Sequence, residues 1–138
     1  MSEDRTIRVC LVEAQRIFER ALCRALEADG DIRVVRSAPT AGELPPGGAP
    51  HVVLVDLDDQ PFRSAAIERL VARRFPGAAL CAIATRPTLD LLRCRDAGRI
   101  TLVLKHRTAG ELRAAVRSAA RGTCTHDDNL TARLAVAG

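Results

Sequence analysis

Five short runs dense in Val, Ile and Leu punctuate the chain at 7–12 (IRVCLV), 32–35 (IRVV), 51–57 (HVVLVDL), 78–84 (AALCAIA) and 100–104 (ITLVL). Runs this short and this apolar read as strands buried on both faces, the pattern of a parallel sheet. Between them, apolar residues recur at helical spacing: Phe18, Ala21, Leu22, Ala25 and Leu26, then Ala66, Ile67, Leu70 and Val71, then Leu112, Ala115, Val116, Ala119 and Ala120. Alternating strands and helices with crossovers of one hand predict an α/β fold, a doubly wound five-stranded parallel sheet with helices on both faces. One helix lacks its signal. The segment SAPTAGELPPGGAP at 37–50 holds three Gly and four Pro, and these cost about 1 and about 3 kcal/mol in a helix interior. The second helix should therefore shrink to a single turn or give way to a loop.

A chain of 138 residues suits one domain that buries roughly two-thirds of its unfolded surface. No apolar run approaches the roughly 18 residues of a membrane span. The start, MSEDRTIRVC, is acidic where a signal peptide needs positive charge, so a cytoplasmic location is expected, with no membrane partner. Five cysteines, Cys10, Cys23, Cys81, Cys94 and Cys124, form no C-x-x-C pair, which argues against a disulfide framework and a zinc site. Cys10 and Cys81 fall inside strand-like runs and read as core filler. CTHDD, from Cys124, is a weak metal motif on the tail. The net charge of +4 comes from arginines spread along the whole chain, and three Phe with no Trp or Tyr leave little to stack on bases. Lys105 is the sole lysine beside twenty arginines. A compact ammonium in so Arg-rich a sequence marks its position.

The third strand runs straight into Asp56, with Asp58 and Asp59 behind it. An ionised carboxylate at the mouth of a core strand is costly unless a partner holds it. In doubly wound sheets, chemistry gathers at the carboxyl ends of the strands. There the first strand delivers Glu13, the third Asp56, the fourth Thr85 and the fifth Lys105.

This constellation resembles that of a response-regulator receiver domain of the NarL/LuxR type, a likeness covering residues 7 to about 121. It implies a flavodoxin-like (CheY-like) fold. It also implies that Asp56 in VVLVDL stands at the phospho-accepting position, with the Thr85 hydroxyl and the Lys105 ammonium holding phosphoryl oxygens. Residues 1–121 would then form the receiver, and 122–138 a linker toward a C-terminal DNA-binding domain beyond Gly138, with a short helix capped by Asp128 or Asn129.

The departures are specific. The family carries two adjacent acids after the first strand, but LVEAQ supplies Glu13 and then Ala14. The magnesium set is thereby reduced to Glu13, Asp56 and Asp58, so binding should be weak. Asp59, Gln60 and Pro61 replace the usual turn after the acceptor, and Leu102 stands at the aromatic switch position.

The residues therefore predict an atypical receiver, not an enzyme, without ordinary magnesium-dependent phosphorylation and with Lys105 holding Asp56 as an ion pair. Two alternatives stay open: a conventional phosphorelay receiver phosphorylated on Asp56 by a histidine kinase, with Asp58 or Asp59 replacing the missing acid, and a small-molecule sensor whose pocket is widened at Ala14. An unrelated flavodoxin-like enzyme is disfavoured by the absence of a Gly-rich loop after the first strand. Thr85 has a second reading as cap of the helix that begins near TRPTLD, supported by Pro87. Output is expected through domain docking or a homodimer, in which Arg113, Arg117 and Arg121, spaced four apart, meet acids of a neighbouring receiver.

Overall fold

The computed structural model describes residues 6–58 and 64–122. The elements follow in the order β1 (Ile7–Val12), α1 (Arg16–Glu27), β2 (Ile32–Ala38), β3 (Val52–Asp56), α2 (Ser64–Arg74), β4 (Ala79–Ala84), α3 (Leu89–Asp96) and β5 (Ile100–Leu104). A last helix, α4, spans 109–122. All five strands are parallel, in the order β2-β1-β3-β4-β5. This is the flavodoxin-like doubly wound sheet expected from the sequence. Its strand order reverses at β1, so the ends of β1 and β3 flank the switch point.

Strand alternation divides the core in two. Val9, Leu11, Val52, Leu54, Cys81, Ile83 and Val103 point to the face covered by Leu26 of α1 and by Leu112, Val116 and Ala119 of α4. Cys10, Val12, Val53, Val55, Leu80, Ala82 and Ala84 point to the other face, against Ile67 and Val71 of α2 and Leu91 and Cys94 of α3. Cys10 and Cys81 are thus core residues, fully buried and free of disulfides.

The missing helix is a single 3₁₀ turn at Ala41–Glu43. It suffices because β2 is an edge strand with only Ile32 and Ala38 fully inside. Ala41 and Leu44 fill the space, and Arg74 on α2 donates to the Leu44 carbonyl at 2.7 Å. The return to β3 turns tightly on glycine. Gly48 adopts φ +77°, and a Cβ there would stand 3.2 Å from Val35 Cγ2.

At the opposite end from the strand tips, α4 is fastened to the α1–β2 turn. Arg117 makes two hydrogen bonds to Asp31 (2.7 and 2.9 Å) and one to Asp29 (2.9 Å). Arg113 reaches Asp29 at 3.0 Å and the Ala25 carbonyl at 2.8 Å. The acids that these arginines meet belong to the same chain, so the Arg113 and Arg117 charges are paired within it. Arg121 lies exposed near the end of the described helix. The cap expected at Asp128 or Asn129, the tail motif at Cys124 and the turn of Asp59, Gln60 and Pro61 all lie outside the described residues. So does the linker beyond 122.

Leu54→Ala, at a fully buried site in the central strand, should cost about 2–5 kcal/mol by urea denaturation. Ile17→Ala, at a side chain 76% exposed on α1, should stay within about 0.5 kcal/mol. Equal effects would contradict the assignment of these faces.

Candidate functional site at the carboxyl edge of the sheet

Four strand ends meet here. β1 is extended by Glu13, whose N–H donates to the Ala38 carbonyl at 3.0 Å. That bond draws its side chain inward, and Glu13 is only 2% exposed. Asp56, the last residue of β3, is fully buried. Lys105 follows β5, its N–H bonded to the Ala84 carbonyl at 3.0 Å, and its side chain reaches across β4 to Asp56. The Lys105 Nζ to Asp56 Oδ2 distance is 2.7 Å. The ammonium also sits 4.9 Å from the centroid of the Phe18 ring, a cation–π contact from α1.

Asp58 occupies the middle of the site. Its Oδ1 accepts from the Thr85 N–H at 2.9 Å, and its Oδ2 accepts from the Thr85 hydroxyl at 2.5 Å and from Lys105 Nζ at 3.3 Å. The Asp58 N–H in turn donates to Asp56 Oδ1 at 3.0 Å. Thr85 is therefore not the cap of α3. Thr88 is, its hydroxyl accepting from the Leu91 N–H at 3.2 Å. Sequence reasoning noted Asp58 but not this bridge. The available signal was the spacing, since residues two apart at a strand end point the same way.

The electrostatics follow from this wiring. Burial pushes the Asp58 carboxyl up, but the hydrogen bonds from the Thr85 hydroxyl and N–H and from Lys105 outweigh it and hold it below the usual range. Partial burial works against the Lys105 charge, yet Asp56 and then Asp58 raise its pKa. Glu13 is pushed up to about 7, by burial first and by the facing Asp56 carboxyl second, against the Gln15 N–H and Lys105. Its Oε2 accepts from the Gln15 N–H at 3.1 Å. Its Oε1 is buried without a donor, because the neighbouring Asp56 carboxylate can only accept.

The remaining positions are placed as follows. Ala14 is exposed. The concavity beside Glu13 opens between α1, β5 and α4, and Ala14 is not among the residues that line it. Leu102 packs into the core on the face of α2 and α3.

No family model matches the sequence, and no curated protein matches it. Solved structures do resemble the fold. The response regulator ChrA of a heme-sensing two-component system is 24% identical, with a TM-score of 0.69 over 86% of this chain, which spans 58% of that protein's chain. A LuxR-family two-component response regulator from Aurantimonas sp. SI85-9A1 is 22% identical, with a TM-score of 0.70 over 85% of this chain and 86% of that one. The signal receiver domain of the NarL response regulator from Mycobacterium tuberculosis is 20% identical, with a TM-score of 0.69 over 85% of this chain and 98% of that one. The structural neighbours are response-regulator receiver domains, NarL/LuxR-type ones included, and the chain has their fold. Among the described residues, no helix is long and apolar enough to cross a membrane.

The receiver fold implies a magnesium ion at this edge, and the residues present do not fit one. Ala14 brings no ligand, while both oxygens of Asp56 and both of Asp58 already accept hydrogen bonds. Glu13 Oε1 is the unengaged carboxylate oxygen. Among the described residues no group of three or more His, Cys, Asp or Glu stands close enough to hold a metal ion.

Two outcomes check the wiring. Lys105→Met strands the buried Asp56, and because Lys105 is 28% exposed the loss should fall near the low end for a broken buried pair, about 3 kcal/mol. Adding Asp56→Asn should recover part of that loss, and additive denaturation midpoints would show that the two groups do not interact. The second outcome concerns pH. Between about 4.5 and about 7 folded Glu13 keeps a proton that the unfolded chain has released, so this group makes stability fall as pH rises through that window and level off above it. Glu13→Gln should remove the effect, the two stability curves diverging by up to about 1.4 kcal/mol per pH unit there. His51, pushed down by burial and Arg8, contributes the opposite slope, but equally to both proteins.

Proposed function

We propose that this chain is an atypical receiver domain in a cytoplasmic transcription regulator of the NarL/LuxR type, working without ordinary magnesium-dependent phosphorylation of Asp56. One observation carries the reading: the Asp58 carboxylate already occupies the Thr85 hydroxyl, the Thr85 N–H and the Lys105 ammonium. In a phosphorylated receiver the hydroxyl and the ammonium would hold phosphoryl oxygens. Here a phosphoryl group on Asp56 must displace an internal anion. It must do so beside a second carboxylate, Glu13, and without the acid that Ala14 replaces. The domain acts as a signalling module rather than an enzyme, and its output is docking or dimerisation that positions a separate DNA-binding domain. A cognate histidine kinase is not required for the state described here.

The test is intact-mass spectrometry after incubation with acetyl phosphate and millimolar magnesium. The wild-type chain should gain no phosphoryl group, whereas Ala14→Asp combined with Asp58→Ala, which places an acid after β1 and frees the Thr85 hydroxyl and the Lys105 ammonium, should gain one. A gain in the wild type that Asp56→Asn abolishes would return the protein to the conventional phosphorelay reading.

A further inference from the structure

Helix α1 covers its face of the sheet incompletely. Only Leu26 is fully buried on it, while Ile17 and Phe18 are 76% and 40% exposed. The gap left beneath it is a cleft of about 260 Å³. Ala21, Leu22 and Ala25 form one wall, Val103 of β5 and Leu112 of α4 the other, with Phe18 alongside. An apolar cavity of about 150 Å³ accepts benzene, so this one has room for a single ring with a short arm.

The polar groups lining the cleft are Glu13, Asp56, Lys105, Arg107 and Thr108. Glu13 is 2% exposed, and its Oε1 has no hydrogen-bond partner. As a carboxylate, Glu13 leaves that buried oxygen wanting a donor, and the nearest carboxylate, Asp56, cannot supply one. Lys105 is committed to Asp56 and Asp58, and Arg107 pairs with Glu111 at 3.3 Å. Three acids, Glu13, Asp56 and Asp58, thus face one lysine at this end of the sheet. A carboxylate or phosphate ligand would add to the excess negative charge. A hydrocarbon would fill the walls but leave Oε1 unsatisfied. A compact cation with N–H donors and an apolar body meets both demands. Phe18, whose ring already carries the Lys105 ammonium at 4.9 Å, adds an aromatic face suited to a positive charge.

We propose that the cleft between α1, β5 and α4 binds a small organic ammonium, its apolar body against Leu22, Val103 and Leu112 and its N–H donor on Glu13 Oε1. The site adjoins the bridge of Asp58 to Thr85 and Lys105 and shares the Lys105 side chain with it, but neither Asp58 nor Thr85 lines the cleft. It stands or falls independently of whether Asp56 accepts a phosphoryl group.

Benzylamine is a suitable probe, titrated into the methyl-labelled full chain at low salt and followed by NMR. Leu22, Val103 and Leu112 methyl resonances should shift saturably, with a Kd on the order of millimolar. Benzyl alcohol should bind more weakly, and benzoate should leave these methyls unmoved. Glu13→Gln keeps the shape but removes the charge, and it should weaken benzylamine about tenfold while changing benzyl alcohol less than about twofold. Ala21→Phe, which fills the cleft, should abolish binding of both. The proposal is overturned by unshifted methyls in the wild type, by benzylamine binding that Glu13→Gln leaves intact, or by benzoate binding as well as the amine. Cross-peaks between Leu22 and residues beyond 122 in the probe-free protein would overturn it too, by assigning the cleft to the chain itself. If Ala21→Phe fails to fold, the Glu13→Gln comparison decides alone.

Discussion

A carboxylate with no exposed surface, Asp56 at the tip of the central strand, sets the terms for everything around it. Such a charge is tolerated only with an opposite charge and hydrogen bonds to its remaining lone pairs. The opposite charge comes from two strands away, because β3, β4 and β5 are neighbours in that order. Lys105 can span β4 because its long stem carries a compact ammonium. The lone pairs of Oδ1 are met from within the loop by the Asp58 N–H. That bond holds the Asp58 backbone beside Asp56, and from there the Asp58 side chain meets Thr85. Asp58, Thr85, Lys105 and, through the ammonium, Phe18 of α1 therefore hold one another in place as consequences of burying Asp56.

Much of this was legible in the sequence because its causes are local. Five Val/Ile/Leu runs became five strands, and their period of two sorted Val9 and Leu11 from Cys10 and Val12 onto opposite faces. The Gly and Pro of 37–50 excluded a full helix, and the structure has a single turn there. The strand ends also identified Glu13, Asp56, Thr85 and Lys105 as neighbours, since a parallel sheet brings all its carboxyl ends to one edge.

What stayed hidden depended on which group faces which across the fold. Arg113 and Arg117 show a regular spacing, but nothing local says that Asp29 and Asp31, more than eighty residues away, stand opposite. The two threonines flanking Pro87 are equally plausible caps by residue type. Thr88 takes the role because α3 begins at Leu89, and Thr85, still attached to the strand end, is drawn to Asp58. The cleft beside Glu13 was hidden for a similar reason, since it comes from the shallow seating of α1 over the sheet and not from any one residue.

The edge presents two obstacles to a phosphoryl group, and they differ in kind. Occupied donors are a reversible obstacle. Hydrogen bonds to a charged group contribute about 1.5–3 kcal/mol each, and Asp58 is 25% exposed, so its carboxylate can turn into water and recover part of that by hydration. The depleted acid set is not reversible in this way, because Ala14 has no rotamer that supplies an oxygen and Glu13, one methylene longer than an aspartate, is already turned inward toward Asp56 and the Gln15 N–H. Opening the Asp58 bridge would free the donors that stabilise an anion without providing the cation that neutralises it during transfer. Glu13 Oε1, buried without a partner, is a single oxygen, and one N–H donor matches it where a magnesium ion needs several such ligands.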